Sequence, residues 1–517
     1  MTMAMNSPFP RNFLVILFMM ANLFPDLGKS ETLINRCPIP HELSDKLHVD
    51  ATSIESVSTD YGNIVHNKPA AVLYPTSVQD ISSLVKASFM CCVPFGISVR
   101  GNGHSTHGQD MAYNGVVVDM KGLRDSGKGI SIDKERRFAD VGGEQLWIDV
   151  LNATVKEGVS AVSWTDYLKL SVGGTLSNAG ISGQAFRYGP QISNVYEMDV
   201  VTGKGELLTC SRYNNSELFY AVLGGLGQFG IITRARIALD THINRVRWTQ
   251  ILYSNFSDFI EAEEYYISQL SENEQRINEI SYLEGGILFD NGTPNNWRNF
   301  FFPPADIPKI TSLIKNYGII YSVEVATTIG SSADKHLQRL MEGLNNVPEY
   351  SYAKNVSYVD FLTRVQITVQ KNESHPWLNI FIPKSGISDF NSGVFRDIVL
   401  KQNITRGPVL FYPMLRDKWD DRMSAVIPDE DIFYAAGILY TSGANDWQVY
   451  EDQNKAIMEF CDKYGIEVKQ YLPNYATKNE WITHFGSKWA TFKQRKALFD
   501  PKNIMSPGQR IFNYYLN

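Results

Sequence analysis

Cysteine is scarce in this 517-residue chain: the five are Cys37, Cys91, Cys92, Cys210 and Cys461. An odd number leaves at least one thiol unpaired in a monomer. There is no Cys-x-x-Cys pair, so the spacing offers neither a disulfide framework nor a thiolate metal site. Adjacent Cys91 and Cys92 follow a predicted helix and read as buried packing residues. Basic charge is lacking too. The 48 Lys and Arg are outnumbered by 55 Asp and Glu, giving a net charge of −7, which argues against a nucleic-acid partner, whose phosphates favour a basic face. Past the N-terminus no apolar run is long enough to span a bilayer. There is no internal repeat and no low-complexity tract.

The N-terminus departs from this pattern. Arg11 precedes Phe13-Leu14-Val15-Ile16-Leu17-Phe18-Met19-Met20-Ala21-Asn22-Leu23-Phe24. A basic residue before about a dozen apolar ones is a secretory signal-peptide pattern. It is shorter than the ~20 residues of a membrane span. Residues 1–28 are therefore expected to be removed, with a retained signal anchor as the alternative. Asn-x-Ser/Thr sequons at Asn152, Asn214, Asn255, Asn291, Asn355, Asn372 and Asn403 agree with secretion, although a chain rich in Asn, Ser and Thr carries some by chance.

The length exceeds the ~250–300 residues at which single cores stop growing, so two domains are expected. Residues 31–60 read as a helical lead-in. From Pro69 the pattern is α/β: strands at 70–74, 93–99 and 116–120, helices at 78–87 and 147–155, a hairpin over 198–208 and a strand at 231–239. Near 242 glycine thins out. Charged helical stretches at 258–274 and 306–315 alternate with strand patterns at 319–327, 375–383 and 432–440. After Lys469 the earlier character returns. The predicted fold is α+β with two domains: a discontinuous cofactor domain over 60–242 and 470–517, and a substrate domain inserted over 243–469.

Residues 100–109, Arg-Gly-Asn-Gly-His-Ser-Thr-His-Gly-Gln, hold the chemistry. Gly101 and Gly103 let the backbone turn sharply and lie close to a ligand, and successive free N–H groups in such a turn make an anion nest. His104 at its end is placed for a bound phosphate-bearing cofactor. With His107 it makes only a weak metal pair, because no further ligands are placed, and no metal is expected. Downstream, Ser163-Trp164-Thr165-Asp166-Tyr167-Leu168 and Val172-Gly173-Gly174-Thr175-Leu176-Ser177-Asn178-Ala179-Gly180-Ile181-Ser182-Gly183 combine glycines and hydroxyls with almost no charge, as a backbone cradle for a large planar ligand would. Asp166 is the only carboxylate between Glu157 and Glu197, and by itself reads as a helix cap before Tyr167. Gly225-Leu226-Gly227-Gln228-Phe229-Gly230 has the letters of a dinucleotide fingerprint. It follows a helical pattern and precedes a strand, the reverse of the required order, so it reads as a helix-to-strand turn.

Together, Gly-His-Ser-x-x-Gly-Gln, Trp-Thr-Asp-Tyr-Leu and Gly-Gly-Thr-Leu-Ser-Asn-Ala-Gly-Ile-Ser-Gly-Gln resemble the plant cytokinin dehydrogenases, flavoproteins of the vanillyl-alcohol-oxidase (PCMH) type. The likeness continues through Gly189-Pro190-Gln191-Ile192-Ser193-Asn194, Gly224-Gly225-Leu226-Gly227-Gln228-Phe229-Gly230, His375-Pro376-Trp377-Leu378-Asn379 and Ser506-Pro507-Gly508-Gln509. The resemblance implies FAD bound covalently through the His104 ring. It implies cofactor contacts from Val99, Gly101, Asn102, Gly103, Ser105, Gln109, Asp166, Ser171, Ser177, Ile181, Ile232, Tyr471, Ser506 and Gln509. Asp166 and Glu284 become the catalytic carboxylates, Asp166 accepting a hydrogen bond from a substrate amine and Glu284 standing at the pocket mouth. Trp377, Asn379 and Leu472 become pocket-lining residues. Asn102 stands where the family has arginine, so only its backbone is expected to act. Ser171 replaces a threonine and keeps the hydroxyl. The implied reaction oxidises the N6 side chain of isopentenyladenine-type cytokinins to adenine and an unsaturated aldehyde, with a quinone-like acceptor or oxygen taking the electrons. A monomer is expected to enter the secretory pathway, with the cell exterior, the vacuole or the endoplasmic reticulum as destinations, free of membrane after signal removal and free of nucleic acid. Other readings are an oxidase of the same flavoprotein type acting on a carbohydrate or alcohol, and a non-catalytic flavin or hormone binder. The berberine-bridge branch uses a second link through a cysteine near 159–172, and this chain has none between Cys92 and Cys210.

Secreted protein should begin about 28 residues into the chain and lose mass on glycosidase treatment. N-terminal sequencing that starts at Met1 would refute the signal peptide.

Overall fold

The computed structural model describes residues 37–125, 129–272, 280–290, 301–330, 337, 350–366 and 372–512. The segment 1–28 and the sequon at Asn291 lie outside them. Three sheets carry the fold. The first has Leu47–His48, Ala71–Leu73, Val116–Asp119 and Ile97–Arg100 in that spatial order, with the last three parallel. Val116, Val117 and Val118 are fully buried, as expected of a parallel strand covered on both faces. The helix Val78–Met90 crosses from Ala71–Leu73 to Ile97–Arg100, the two strands that flank Val116–Asp119. Ser77 starts it through a reciprocal capping box with Asp80, which satisfies two otherwise unpaired N–H groups.

The expected strand 93–99 forms only over Ile97–Arg100. Pro94 and Gly96 keep the preceding residues out of the ladder. The helical lead-in is likewise corrected. Its described part holds a one-turn His41–Leu43, the edge strand Leu47–His48 and the short helix Ala51–Ser56.

Cys37 and Cys91 form a disulfide, Cys92 is exposed, and Cys210 and Cys461 are buried thiols. Cys91 is buried as expected, although in a disulfide, whereas Cys92 is not the buried packing residue the sequence suggested. Cys91 leaves the helix in an extended conformation, and successive side chains along extended backbone point to opposite sides.

The second sheet runs Ile130–Asp133, Phe138–Gly142, Gly230–Thr241, Val195–Thr202, Leu207–Ser211, with Val159–Ala161 pairing the far end of Gly230–Thr241. The helix Ser216–Val222 precedes Gly230–Thr241, so 225–230 is the helix-to-strand turn the sequence order implied.

The third sheet has eight strands: Ser351–Ser357, Arg245–Tyr253, Ile319–Thr328, Ile280–Phe289, Val409–Leu415, Ile432–Ile438, Leu378–Pro383 and Lys469–Gln470. Its two faces join different cores. Tyr282 and Ala326 pack into the core containing Trp147, Trp164 and Leu176 from the second sheet's surroundings. Leu283 and Val325 pack with the helix Phe256–Glu272 on the other side. The period-2 alternation of a strand makes this division. The chain then returns to its beginning: Ile97 N–H donates to the Ile504 carbonyl and Ser506 N–H to the Ile97 carbonyl, each at 2.8 Å.

The disulfide closes a 54-residue separation. Replacing Cys37 and Cys91 by serine should lower unfolding free energy by roughly 2–4 kcal/mol, read from denaturant titrations of both proteins. Equal midpoints would show that the bond adds no stability.

Candidate active site

The loop after Ile97–Arg100 is clamped from beneath. Arg100 Nη1 donates to Asp110 at 2.9 Å and Nη2 to the Thr59 carbonyl at 3.1 Å. Ser105 Oγ lies 2.9 Å from Asp60 Oδ2 and 2.6 Å from Asp110 Oδ1, and Gly108 N–H donates to Asp60 at 2.6 Å. Tyr61 N–H reaches the Gly103 carbonyl at 3.0 Å. Gly103 has φ +66°, a conformation open to glycine without strain. At Gly101 a Cβ would lie 2.0 Å from Ser171 Oγ, so only glycine lets the two segments meet.

His104 leaves this loop against an aromatic column. Its ring stacks on Tyr61 at 3.9 Å, and Tyr61 stacks on His375 at 4.0 Å. Burial, with a smaller push from His375, lowers the His104 imidazole to about 3, so the ring is neutral at working pH. Its Nε2 is buried and has no partner among the described residues.

The segment that leads into the glycine-rich helix Val172–Asn178 meets this loop. Asn102 Nδ2 donates to the Lys169 carbonyl at 2.8 Å, which corrects the expectation that only its backbone acts: the amide is short enough to tie the two segments together. Ser177 Oγ donates to the Gly173 carbonyl at 2.8 Å within the helix Val172–Asn178. The C-terminal turn closes the wall, where Ser506 Oγ donates to the Gly227 carbonyl at 3.0 Å and Gln228 Nε2 to the Ser506 carbonyl at 3.1 Å.

These parts enclose a cavity of about 350 Å³. Every expected cofactor residue lines it: Val99, Gly101, Asn102, Gly103, His104, Ser105, Gln109, Asp166, Ser171, Ser177, Ile181, Ile232, Tyr471, Ser506 and Gln509. So do Glu284, Trp377, Asn379 and Leu472, together with Leu226 and Gly227 from the helix-to-strand turn. A flavin nucleotide fits what the walls offer. Besides His104 Nε2, the Gln509 Oε1 and Asn379 Nδ2 atoms are buried without partners among the described residues, and buried polar atoms are ordinarily paired.

Two carboxylates stand differently from expectation. Asp166 lies in a bend and caps no helix. Glu284 is not at a mouth. It sits on the strand Ile280–Phe289 and is 1% exposed. Directly across the ladder it faces Glu324, and Glu324 faces Gln250 on the next strand. Like charges in directly opposed positions destabilise a sheet, and Arg364 offsets them. Its Nε donates to Glu324 at 2.8 Å and its Nη2 to Glu284 at 3.1 Å. Gln250 Nε2 donates to the other Glu324 oxygen at 2.7 Å. Tyr282 Oη lies 2.6 Å from Asp166 Oδ1 and also bonds Glu284 and Arg364. Burial pulls the Arg364 guanidinium down, but the surrounding acidic groups hold it well above its ordinary range.

Tyr61, His375, Tyr282, Glu324 and Arg364 were not singled out from sequence. For Tyr282 a signal existed: Ser281-Tyr282-Leu283-Glu284-Gly285, read as a strand, puts Tyr282 and Glu284 on one face. Arg364 carries no local signal, because its carboxylate partners come from segments 40 to 198 residues away.

Burial, and then Asp110, raise Asp60 from 3.8 to about 6. A carboxyl whose folded value is raised stabilises the fold most when protonated. That contribution is full below about pH 4 and is lost as pH rises through about 6, with about 3 kcal/mol at stake. Thermal unfolding at pH 4.5, 5.5 and 7 should show the wild type losing ground to Asp60→Asn as pH rises. Parallel profiles would refute it.

Residues 243–512 match the family model described as "Cytokinin dehydrogenase 1, FAD and cytokinin binding", and residues 69–211 match "FAD binding domain". Cytokinin dehydrogenase 3 of Arabidopsis thaliana is 47% identical over 483 residues, 91% of each chain. Cytokinin dehydrogenase 5 of the same plant is 45% identical, covering 98% of this chain and 96% of its own. Cytokinin dehydrogenase 5 of Oryza sativa subsp. japonica is 46% identical, covering 90% and 91%. Among solved structures, 6-hydroxy-D-nicotine oxidase from Arthrobacter nicotinovorans superposes with a TM-score of 0.67 at 18% identity, covering 93% of this chain and 99% of that one. A chitooligosaccharide oxidase gives 0.65 at 16%, covering 88% and 94%. At those identities the structures share the fold, while the sequence relatives decide the family: this chain belongs to the cytokinin dehydrogenases, FAD-dependent oxidoreductases of the PCMH type.

Proposed function

We propose that the protein oxidises the N6 side chain of isopentenyladenine-type cytokinins to adenine and an unsaturated aldehyde. The observation that carries this reading is the meeting of Asp166, Glu284 and His104 on one cavity. FAD, when bound, supplies the acceptor for the hydride. The protein's own residues do the rest. His104, neutral in its buried site, is the ring that would hold the cofactor covalently. Gln109, Ser506 and Gln509 converge on the same wall and would hold its polar parts. Asp166, 20% exposed at the side chain, is open to the cavity. Its carboxylate orients the substrate N–H and stabilises the positive charge that grows on nitrogen as hydride leaves the adjacent carbon. Trp377 is held by its Nε1 bond to the Tyr440 carbonyl at 3.1 Å. With Leu472 it supplies apolar walls that exclude water, and Asn379 offers a donor. The imine product then hydrolyses, and a quinone-like acceptor or oxygen takes up the electrons.

The sequence limits 60–242 with 470–517 serve as the cofactor domain and 243–469 as the substrate domain. Entry into the secretory pathway is supported by the exposure of Asn152, Asn214, Asn255, Asn355, Asn372 and Asn403, the six sequons among the described residues. No described helix is long and apolar enough to cross a membrane. We take the protein to act as a glycosylated monomer.

Mixed with isopentenyladenine under anoxia, the yellow protein should bleach, and acid-precipitated protein should stay yellow because of His104. Asp166→Asn should slow flavin reduction on the order of 10²-fold or more. Glu284→Gln should slow free base and riboside alike, since its carboxylate is joined to Asp166 through Tyr282 and is remote from solvent. A wild-type rate in Asp166→Asn would overturn the mechanism. A flavin unchanged by any cytokinin would overturn the function.

A further inference from the structure

Residues 60–63 form a strap bonded on one side to the His104 loop and on the other to the segment that begins the third sheet's strand Leu378–Pro383. Tyr61 N–H donates to the Gly103 carbonyl and Gly62 N–H to the Ser105 carbonyl, each at 3.0 Å. These two bonds bracket His104. From the other side, His375 N–H donates to the Gly62 carbonyl at 2.9 Å, Asn63 Nδ2 to the Glu373 carbonyl at 3.0 Å, and Ser374 Oγ to the Asn63 carbonyl at 3.1 Å. A Cβ on Gly62 would lie 2.0 Å from the Thr106 carbonyl oxygen, so the strap can rest on the loop only with glycine there.

The strap inserts one ring between two imidazoles. The Tyr61 ring stacks on His104 at 3.9 Å with 12° between the planes, and on His375 at 4.0 Å with 4°. Tyr167 and Trp377 approach His104 only tilted, at 5.2 and 5.7 Å. Burial lowers His375 to about 4, so both imidazoles are neutral and no charge pushes the column apart. The Tyr61 hydroxyl is buried without a partner among the described residues, so the ring and the backbone make the contacts. The outer torsion of a histidine joins an sp³ to an sp² carbon and has broad wells. An unclamped imidazole therefore samples many planes. Packing face to face against Tyr61 leaves His104 one plane, and His375 behind Tyr61 keeps that ring from tilting away.

We propose that Tyr61, backed by His375, is a positioning residue for covalent attachment of the flavin, fixing the plane in which the His104 ring meets it. The proposal rests on the reading of His104 as the covalent anchor. Attachment forms a C–N bond between the His104 ring and a methyl carbon of the flavin. One N–H and one C–H bond break. The two hydrogens leave as two protons and two electrons, which dioxygen takes up as hydrogen peroxide. The nitrogen lone pair that makes the new bond lies in the plane of the imidazole. Turning that plane swings the lone pair off the carbon, so the step depends on orientation more than on affinity.

Pulse labelling separates the two. Cells producing the full chain receive isotopically labelled riboflavin, and label on the purified protein is divided over time into acid-soluble and acid-stable flavin. Wild type and Tyr61→Phe should attach label at the same rate. Tyr61→Leu should bind total label within about twofold of wild type but attach it on the order of 10- to 10²-fold more slowly. His375→Phe, which keeps a ring to stack, should match wild type, and His375→Leu should slow attachment by a smaller factor. Residues that only held the fold together would lower total and attached label in step, and that outcome would overturn the inference. Attachment at the wild-type rate in either leucine variant would overturn it too, as would slowing in Tyr61→Phe equal to that in Tyr61→Leu. If Tyr61→Leu yields no folded protein, the two His375 variants decide alone. Label that stays wholly acid-soluble in the wild type would remove the covalent anchor itself, and this inference with it.

Discussion

Glu284 and Glu324 face each other across neighbouring strands in a buried part of the third sheet. An uncompensated charge there costs several kcal/mol. Arg364 is the cation that pairs with both glutamates, and its own burial is tolerable only because of them. Neither side could be kept without the other. Because Tyr282 and Glu284 lie two residues apart on one strand, the same pairing fixes the tyrosine that reaches Asp166. Asp166 comes from the segment between Val159–Ala161 and the helix Val172–Asn178, in the other half of the molecule. A pairing within the third sheet thus sets the position of a side chain outside it.

The opposite wall is built on a second constraint, in which sterics matter more than charge. The Arg100–Gln109 loop lies so close to its neighbours that Gly101 has no room for a side chain beside Ser171. Beneath it, Arg100, Asp60, Asp110 and Ser105 form a hydrogen-bonded base. Tyr61, adjacent to Asp60, stacks on His104. The base and the histidine are therefore coupled through two consecutive residues. His375 extends the column from the third sheet's side, so this wall too draws on both halves of the chain.

Much of this was legible in the sequence, for local reasons. The glycine turns, the apolar strand runs and the order of the motifs depend on neighbours within a few residues. The cavity accordingly collects every residue expected of it. The failures share a cause: they concern what a side chain meets in space. Glu284 was expected at the pocket mouth, and Gly285 and Gly286 follow it. Those glycines are strand residues, and a Cβ on Gly285 would lie 2.0 Å from the Phe411 carbonyl of the adjoining segment. Asn102 looked inert because its partner is 67 residues away. Cys91 looked unpaired because Cys37 is brought to it only by the packing of the first sheet. Arg364 was invisible, since an arginine after a short amphipathic helix ordinarily reads as a solvated residue.

The placement of the reactive groups follows from these two walls. A cavity wall made by one sheet alone would present side chains at fixed strand spacing, with charges of one sign brought into opposition. Here one wall is a tightly bent loop whose histidine is kept neutral by burial, and the other is a strand whose acids are balanced by an arginine behind them. The cation stands on the far side of the carboxylates from the substrate space: Arg364 is 1% exposed, against 20% for the Asp166 side chain. That ordering leaves negative character facing the cavity, where a nitrogen losing electron density would be stabilised. Reversing it would place an arginine against the same nitrogen and oppose the charge that the reaction develops.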